Sequence, residues 1–208
     1  MGNCLLVLVA SFVMLAPRLA DAQICAGIPR THVGVPLAFS DGGHSIGFRF
    51  AVGERSAFGF FGYDIGFTDG TDDKSNSYQW GAGLDKAIGR QERVFVCPFV
   101  NGSSQGPNND LMALSVGGGG SVRVVVLRRD AVTIVPALSV QGVFSHISSS
   151  APFSRALNET AGILGAGVGL MFLRGHIGLK PSVAFPFAND ANDLVLLRTF
   201  RLYLFVAP

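Results

Sequence analysis

The chain of 208 residues has room for one domain, and its charged fraction of 14% lies well below the roughly 25% of a typical soluble domain. Its net charge of +2 excludes the basic field that nucleic-acid binding requires. Beyond residue 22 no apolar run approaches the roughly 18 residues that a membrane-spanning helix needs. Because an apolar chain without such a helix can satisfy its backbone in lipid only by closing a sheet, these properties favour a β-barrel.

The first 22 residues are predicted to form a cleaved secretory signal peptide. Residues 5–16 are apolar, and the small-residue sequence Ala20-Asp21-Ala22 places cleavage after Ala22. Lys and Arg are absent from residues 1–4, and a short buried helix is the alternative interpretation. We therefore expect residues 23–30 to form a short periplasmic tail and residues 31–208 to form an exported outer-membrane barrel in a Gram-negative bacterial envelope.

Ten apolar segments follow in chain order. Connections that alternate between long and short separate them, as in outer-membrane barrels with short periplasmic turns and longer external loops. The long connections are predicted at 69–76, 102–110, 147–159 and 188–193, and the short ones at 53–55, 89–91, 128–130 and 174–175. An even number of strands places both termini in the periplasm, and eight strands is the alternative count. The ten segments are 31–39, 45–53, 56–67, 77–88, 92–101, 111–127, 131–145, 160–173, 175–187 and 194–206.

Within most segments the residues alternate with a period of two, which is the signature of a strand. In segment 77–88 one face carries Trp80 and Leu84, whereas the other carries Gln79 and Asp85. The polar faces consist mainly of Gly, Ser and Thr with single charges, too small for a solvated exterior but suited to a narrow lumen. The apolar face is therefore predicted to meet lipid. A water-soluble, lipocalin-like barrel that binds an apolar ligand is the alternative.

Two features disturb this pattern. Segment 92–101 is apolar on both faces, so its register stays open. Four prolines fall inside predicted strands, where each removes a hydrogen-bond donor, and we expect them to mark bulges. They are Pro36, Pro98, Pro136 and Pro181.

Over residues 31–208 the chain resembles the small bacterial outer-membrane β-barrel superfamily, which includes the outer membrane protein A-like, X-like and porin-family barrels. The resemblance is one of pattern and not of a catalytic motif. Barrels of this group usually end in an aromatic residue, whereas here Phe205 lies three residues before the end. The resemblance implies a transmembrane antiparallel up-and-down barrel, with outer-membrane lipids and the barrel-assembly machinery as partners. It also implies a non-enzymatic role, structural or as a narrow porin.

Charged residues on the predicted lumen faces form the main candidate site. A ring of cations would give a pore that prefers anions. An ion-pair network that fills a narrow barrel is the favoured interpretation, because unpaired buried charges are costly. The candidate residues are Arg49, Asp64, Asp85, Arg123, Lys180 and Arg201.

Two cysteines, Cys25 and Cys97, remain after the predicted cleavage. They form a candidate disulfide, since the periplasm permits oxidation. Pairing requires that the N-terminal tail folds into the lumen and that Cys97 faces inward, so two unpaired thiols, or one chance pair, are the favoured expectation. Their spacing has no character of a metal or redox motif.

The four histidines are scattered and predict no catalytic, cofactor or metal site. His32 and His176 are expected near the periplasmic end, and His44 and His146 near the external rim. A rim enzyme, a hydrolase or acyltransferase using these histidines or the Asp72-Asp73 pair, is the alternative function. Residues 117–120 are four glycines without the helix and Lys-Ser/Thr of a phosphate loop, and we expect them to form part of the sixth strand.

Overall fold

The computed structural model describes residues 23–24, 28–29, 31–40, 43–54, 56–70, 74–89, 93–108, 111–149, 157–189 and 198–208. The predicted leader lies outside these ranges. Among the described residues, no helix is long and apolar enough to cross a membrane. The described helical structure is a single 3-10 turn at Leu173–Gly175.

Ten antiparallel strands form one closed sheet. Each strand pairs with the next along the chain, and the last strand returns to pair with the first, for example through Leu204 and Val35. This confirms the ten-stranded up-and-down barrel, and the eight-stranded alternative is wrong. The strands are β1 His32–Ser40, β2 Gly43–Glu54, β3 Ala57–Thr68, β4 Lys74–Leu84 continued by Lys86–Ile88, β5 Val94–Asn108, β6 Leu111–Val124 continued by Leu127–Arg128, β7 Val132–Ser149, β8 Leu157–Phe172, β9 Ile177–Asn189 and β10 Thr199–Val206.

The two ends of the barrel differ in their connections. At the turn end, four short connections join β2 to β3, β4 to β5, β6 to β7 and β8 to β9, and β1 begins and β10 ends there. At the other end, called here the loop end, the predicted loop 102–110 is wrong. Strand β5 continues to Asn108 and β6 begins at Leu111, with Ser103 paired to Ser115. In this part of β5 both faces carry polar residues, so polar and apolar residues no longer alternate. The hydrogen-bonded ladder nevertheless continues.

The outer surface of the barrel is apolar on every strand. Phe61 is 52% exposed and Leu138 is 62% exposed, values far above those of core residues. The open register of segment 92–101 is resolved in the same way, because Cys97 is buried inside at 1% exposure and Val100 lies outside at 53%. Exposed large apolar side chains, one from each strand in order, are Val35, Phe48, Phe61, Trp80, Val100, Leu114, Leu138, Leu164, Phe185 and Leu204.

The prolines do not mark bulges, so that expectation is wrong. The ladders run through Pro98, paired with Gly120, and through Pro136 without a change of register. The register shift in the pairing of β8 with β9 falls elsewhere, between Gly162 and Ile163. Each residue of an antiparallel strand bonds to one neighbour only, so a proline forfeits one donor while the strand keeps its register.

Apolar side chains fill the lumen at the turn end. The N-terminal segment contributes to this core, because Gln23–Ile24 pairs with Ile28–Pro29 and the Ile28 side chain is buried at 5% exposure. The other core residues come from six strands and from the interruption between the two parts of β6. They are Ala51, Phe58, Cys97, Val125, Val135, Met171, Tyr203 and Phe205.

Candidate functional site in the lumen

A cavity of about 250 Å³ lies in the lumen on the loop side of this core. Ile28, Ala51 and Phe58 of the core form its floor. Its walls carry charged and polar side chains among apolar ones, so the lumen becomes more polar along the barrel axis. The charged and polar wall residues are Arg49, Asn101, Ser121, Ser139, Gln141, Lys180, Ser182 and Arg201.

Arg49 is held by a chain of polar contacts across three neighbouring strands. Its Nη2 donates a hydrogen bond of 2.5 Å to Oε1 of Gln79, and Nε2 of Gln79 donates in turn to the Asp64 carboxylate. The guanidinium carbon lies 5.0 Å from the Phe60 ring centroid and 5.7 Å from that of Tyr203. A planar cation between an amide and two rings has little freedom to move, so Arg49 is a fixed positive charge at the cavity wall.

Glycines make room for this network. A Cβ atom placed on Gly47 would lie 1.8 Å from Oδ1 of Asp64, and one on Gly34 would lie 2.5 Å from the Tyr203 ring. Gly47 is the cross-strand partner of Asp64. The absence of a side chain on one strand therefore lets a large side chain on the next strand lie flat across the lumen wall.

Lys180 and Arg201 border the same cavity from the neighbouring strands β9 and β10. Both lie within electrostatic range of Arg49, and Arg201 also of Asp64. Among the described residues, neither the Lys180 ammonium nor the Arg201 guanidinium has a hydrogen bond or an ion pair. The structure thus gathers four of the six candidate charges, with more positive than negative charge.

Asp85 and Arg123 form a separate pair within the turn-end core. The two side chains form a salt bridge and are 0% and 1% exposed. The Arg123 guanidinium carbon lies 4.2 Å from the Phe95 ring centroid, and Asp85, between the two parts of β4, donates its backbone N–H to Ser56 at 2.6 Å. This pair is part of the packed core and does not border the cavity.

The cysteine expectation needs correction. Cys97 forms a disulfide, so the favoured expectation of two unpaired thiols is wrong. The described residues also meet both conditions for pairing, because Cys97 faces inward and Ile28 of the N-terminal segment packs in the same core. Cys25 itself lies outside the described residues.

The histidines predicted near the turn end lie there. His32 is buried at 1% exposure, with its ring 5.4 Å from that of Tyr203 and 5.8 Å from that of Phe205, both edge-on. His176 lies in the turn before β9, where its Nδ1 is 3.2 Å from the Ala207 carbonyl oxygen. Both rings pack against or bond to the C-terminal strand, which fits a structural role.

The rim histidines lie on different strands and have different partners. His44 on β2 lies 3.4 Å from the Asp69 carboxylate and stacks on the Phe67 ring at 5.1 Å. His146 on β7 is 2.8 Å from the Asn158 side chain oxygen. These contacts are exposed pairs at a rim and do not assemble into one site.

The acidic pair Asp72-Asp73 lies outside the described residues. In the part of the chain that is described, no group of three His, Cys, Asp or Glu side chains could hold a metal ion. The lumen aromatics and the bridging Gln79 were missed by the sequence reasoning. The sequence signal that could have identified Gln79 is its position in the alternation, which places it on the same lumen face as Asp85.

Comparisons with known proteins give matches in structure only. No family model matches the chain, and no curated protein matches it. A structure described as the KdgM porin is 9% identical over 85% of this chain and 99% of its own, with a TM-score of 0.39. A structure from work on in-meso crystallization of membrane proteins is 12% identical over 84% of this chain and 83% of its own, with a TM-score of 0.32.

Both TM-scores are below 0.5, so the assignment of the fold rests on the strand pairing of this chain. Ten strands joined in chain order, with the last paired to the first, define a closed sheet without free edges. The architecture is the one that the resemblance implied: an all-β, antiparallel up-and-down barrel of the kind found among small outer-membrane barrels.

Proposed function

We propose that this protein is a non-enzymatic integral barrel of the bacterial outer membrane, exported by the predicted leader, whose lumen is closed at the turn end. The observation that carries this proposal is the exposed apolar side chain on each of the ten strands, such as Phe48, Leu114 and Phe185. A water-soluble barrel would place such a belt against water, whereas a continuous apolar surface of this kind is suited to lipid.

The strand lengths agree with this placement. Most strands have 11 to 18 residues, and a tilted strand needs about 9–11 residues to cross the hydrocarbon core. The surplus accounts for the polar end of β5 at the loop end, which would stand beyond the bilayer.

The lumen supports a plugged barrel better than an open channel. The apolar core at the turn end includes Phe58, Met171 and Phe205, each at most 8% exposed. Ions do not cross a packed apolar layer unless it moves, since removing their hydration is costly. The cavity above the core is therefore a cup with a floor.

We also propose that Cys25 is the disulfide partner of Cys97 and anchors the N-terminal segment in this core. The chain has three cysteines, and Cys4 falls within the predicted leader. Analysis of the mature protein by mass spectrometry without reduction should reveal a peptide that links Cys25 to Cys97. In the Cys25→Ser variant, Cys97 should become reactive toward a maleimide after unfolding. A Cys97 thiol that reacts in the unreduced, unfolded wild-type protein would contradict the pairing.

Membrane insertion is tested first by refolding into detergent and lipid vesicles. We expect gel mobility that changes on heating, and quenching of the single tryptophan, Trp80, by brominated lipid chains, because its side chain lies on the outer surface. A mature protein that stays soluble and folded without detergent would support the lipocalin-like alternative and overturn the proposal.

Closure of the lumen is tested by conductance in planar bilayers. The folded, oxidised protein should give no stepwise currents. Stepwise anion-selective currents that decrease in the Lys180→Ala variant would show a conducting pore and contradict the closed turn end.

The rim-enzyme alternative has no enclosed cleft to support it among the described residues. The His44–Asp69 pair is more than half exposed on both sides. The His44→Ala variant lacks this pair. It should still fold as a barrel, and no activity toward lipid or peptide substrates should be lost. An activity of the wild-type protein that this substitution abolishes would establish the enzyme.

A further inference from the structure

We propose that the cup above the turn-end core is a binding site for a small organic anion carrying two negative charges. The proposal rests on the closed floor proposed above and adds a ligand to it. Three cationic side chains border one cavity of about 250 Å³: Arg49, Lys180 and Arg201.

The charge balance of the described cavity residues favours an anion. Among the described residues, the carboxylate that interacts with these cations is that of Asp64, which accepts a hydrogen bond from Gln79. Three cationic side chains and one carboxylate leave an excess of two positive charges. Lys180 and Arg201 have no hydrogen-bonded or ionic partner among the described residues. Cations that share a confined, partly desolvated space repel one another, and a dianion between them would remove that repulsion.

The geometry of the cations is suited to carboxylate or phosphate groups. Arg49 is fixed by Gln79 and by the rings of Phe60 and Tyr203, so it offers a prearranged charge. Lys180 and Arg201 lie on adjacent strands, where Ser182 is the cross-strand partner of Arg201. A guanidinium and an ammonium side by side can each donate to one end of a doubly charged ligand.

The opposite wall is neutral and polar. Asn101 on β5 donates its Nδ2 to Oε1 of Gln141 on β7 at 3.2 Å, and Ser139 lies beside them on the cavity wall. Amide and hydroxyl groups recognise the uncharged oxygens of a ligand without adding charge. The floor is apolar, with Ala51 and Phe58. The site therefore has a cationic wall, a neutral polar wall and an apolar base.

The size of the cavity restricts the ligand to a small molecule. Pockets for drug-sized ligands have about 300–1,000 Å³, so a cup of about 250 Å³ accommodates a short dicarboxylate or a small phosphate ester. Both share the chemistry that the cations select, a compact molecule with two negative charges.

Isothermal titration of the refolded protein in a zwitterionic or uncharged detergent tests this proposal. The probes are succinate and inorganic phosphate, with succinamide as the neutral analogue of the same size as succinate. We expect saturable binding of at least one anion with one site per barrel, and no binding of succinamide. Absence of binding by both anions, or equal binding of succinamide, would overturn the proposal.

Lys180→Gln and Arg201→Gln are the test variants, and Lys86→Gln is the matched control because Lys86 lies exposed on the outer face of β4. Each lumen variant should weaken anion binding about tenfold or more, since each removes a charge-assisted hydrogen bond. The control should bind as the wild type does. Equal affinity in all three variants would place any bound anion outside the lumen and reject the site.

Heat-modifiable gel mobility of each variant shows whether the barrel has folded, independently of binding. A folded, non-conducting barrel that binds no anion would reject this inference and leave the proposed function intact. A protein that fails to insert into membranes but binds the dianion would do the reverse.

Discussion

Removing the charge of Asp85 should destabilise the barrel more than any surface substitution of the same kind. Its carboxylate and the Arg123 guanidinium form a salt bridge in which the two side chains are 0% and 1% exposed. Asp85→Asn keeps the shape of the side chain and removes the carboxylate that forms the buried salt bridge with Arg123. Breaking a buried pair in this way costs about 3–5 kcal/mol of the free energy of unfolding.

The assay is reversible urea unfolding of the protein in lipid vesicles, followed by the fluorescence of Trp80. This single tryptophan lies on the outer surface, so its emission should change as it moves from lipid to water. Asp69→Asn is the matched control, because Asp69 is 63% exposed beside His44. The control should change the stability by less than about 1 kcal/mol.

A double-mutant cycle separates the pairing from the loss of shape. Arg123→Met removes the second charge, and the Asp85→Asn, Arg123→Met double variant should be more stable than the sum of the two single effects predicts. The expected coupling is about 1–3 kcal/mol, because the residues are in contact. If Asp85→Asn costs no more than Asp69→Asn, or if the two substitutions add without coupling, the buried pair does not stabilise the barrel as argued.

Three further substitutions test separate parts of the structure. Gly34→Ala should destabilise the barrel by at least about 1 kcal/mol, because the new Cβ would lie 2.4 Å from the Leu204 carbonyl oxygen, whereas Gly142→Ala has no atom within 4 Å and should be neutral in the same urea assay. Phe205→Ala should cost about 3–5 kcal/mol, since its side chain is 2% exposed in the turn-end core; a cost below that of the exposed Phe200→Ala would contradict the core. Phe61→Lys on the outer face should cost about 2–4 kcal/mol in lipid vesicles, and a neutral effect would argue against lipid contact.

The ten strands were predictable because alternation is a local property. In β5 the alternation of polar and apolar residues is lost at both ends of the strand, for opposite reasons. Near the turn end, Phe95, Cys97 and Phe99 face an apolar lumen, so both faces are apolar. Near the loop end, Ser103 and Ser104 are polar on both faces. The lumen changes its character along the barrel axis, and no rule that assigns one polarity to each face can follow that change.

The charged residues were predictable as lumen-facing, but their partners were not. Parity assigns Asp85 and Arg123 to the inside, yet these residues lie on β4 and β6 with β5 between them. Their contact crosses Phe95, which is paired with both Ala87 and Arg123. Such a contact depends on two strand registers together. The expectation for Cys97 failed for a similar reason, since a disulfide depends on a second segment whose position the register of its own strand does not determine.

The lumen glycines follow a rule that links sequence to the cavity. On β2, β3 and β4 several large lumen side chains have glycines as cross-strand partners: Phe58 with Gly83, Phe60 with Gly81, Gln79 and Arg49 with Gly62, and Asp64 with Gly47. In a narrow barrel, side chains from opposite walls compete for one small volume, so a large residue requires an empty position beside it. Glycine on β2, β3 and β4 therefore lets each large side chain lie along the wall instead of crossing the lumen. Because these side chains lie flat, space remains in the lumen beside Arg49. The glycines of β2, β3 and β4 therefore help to form the cavity.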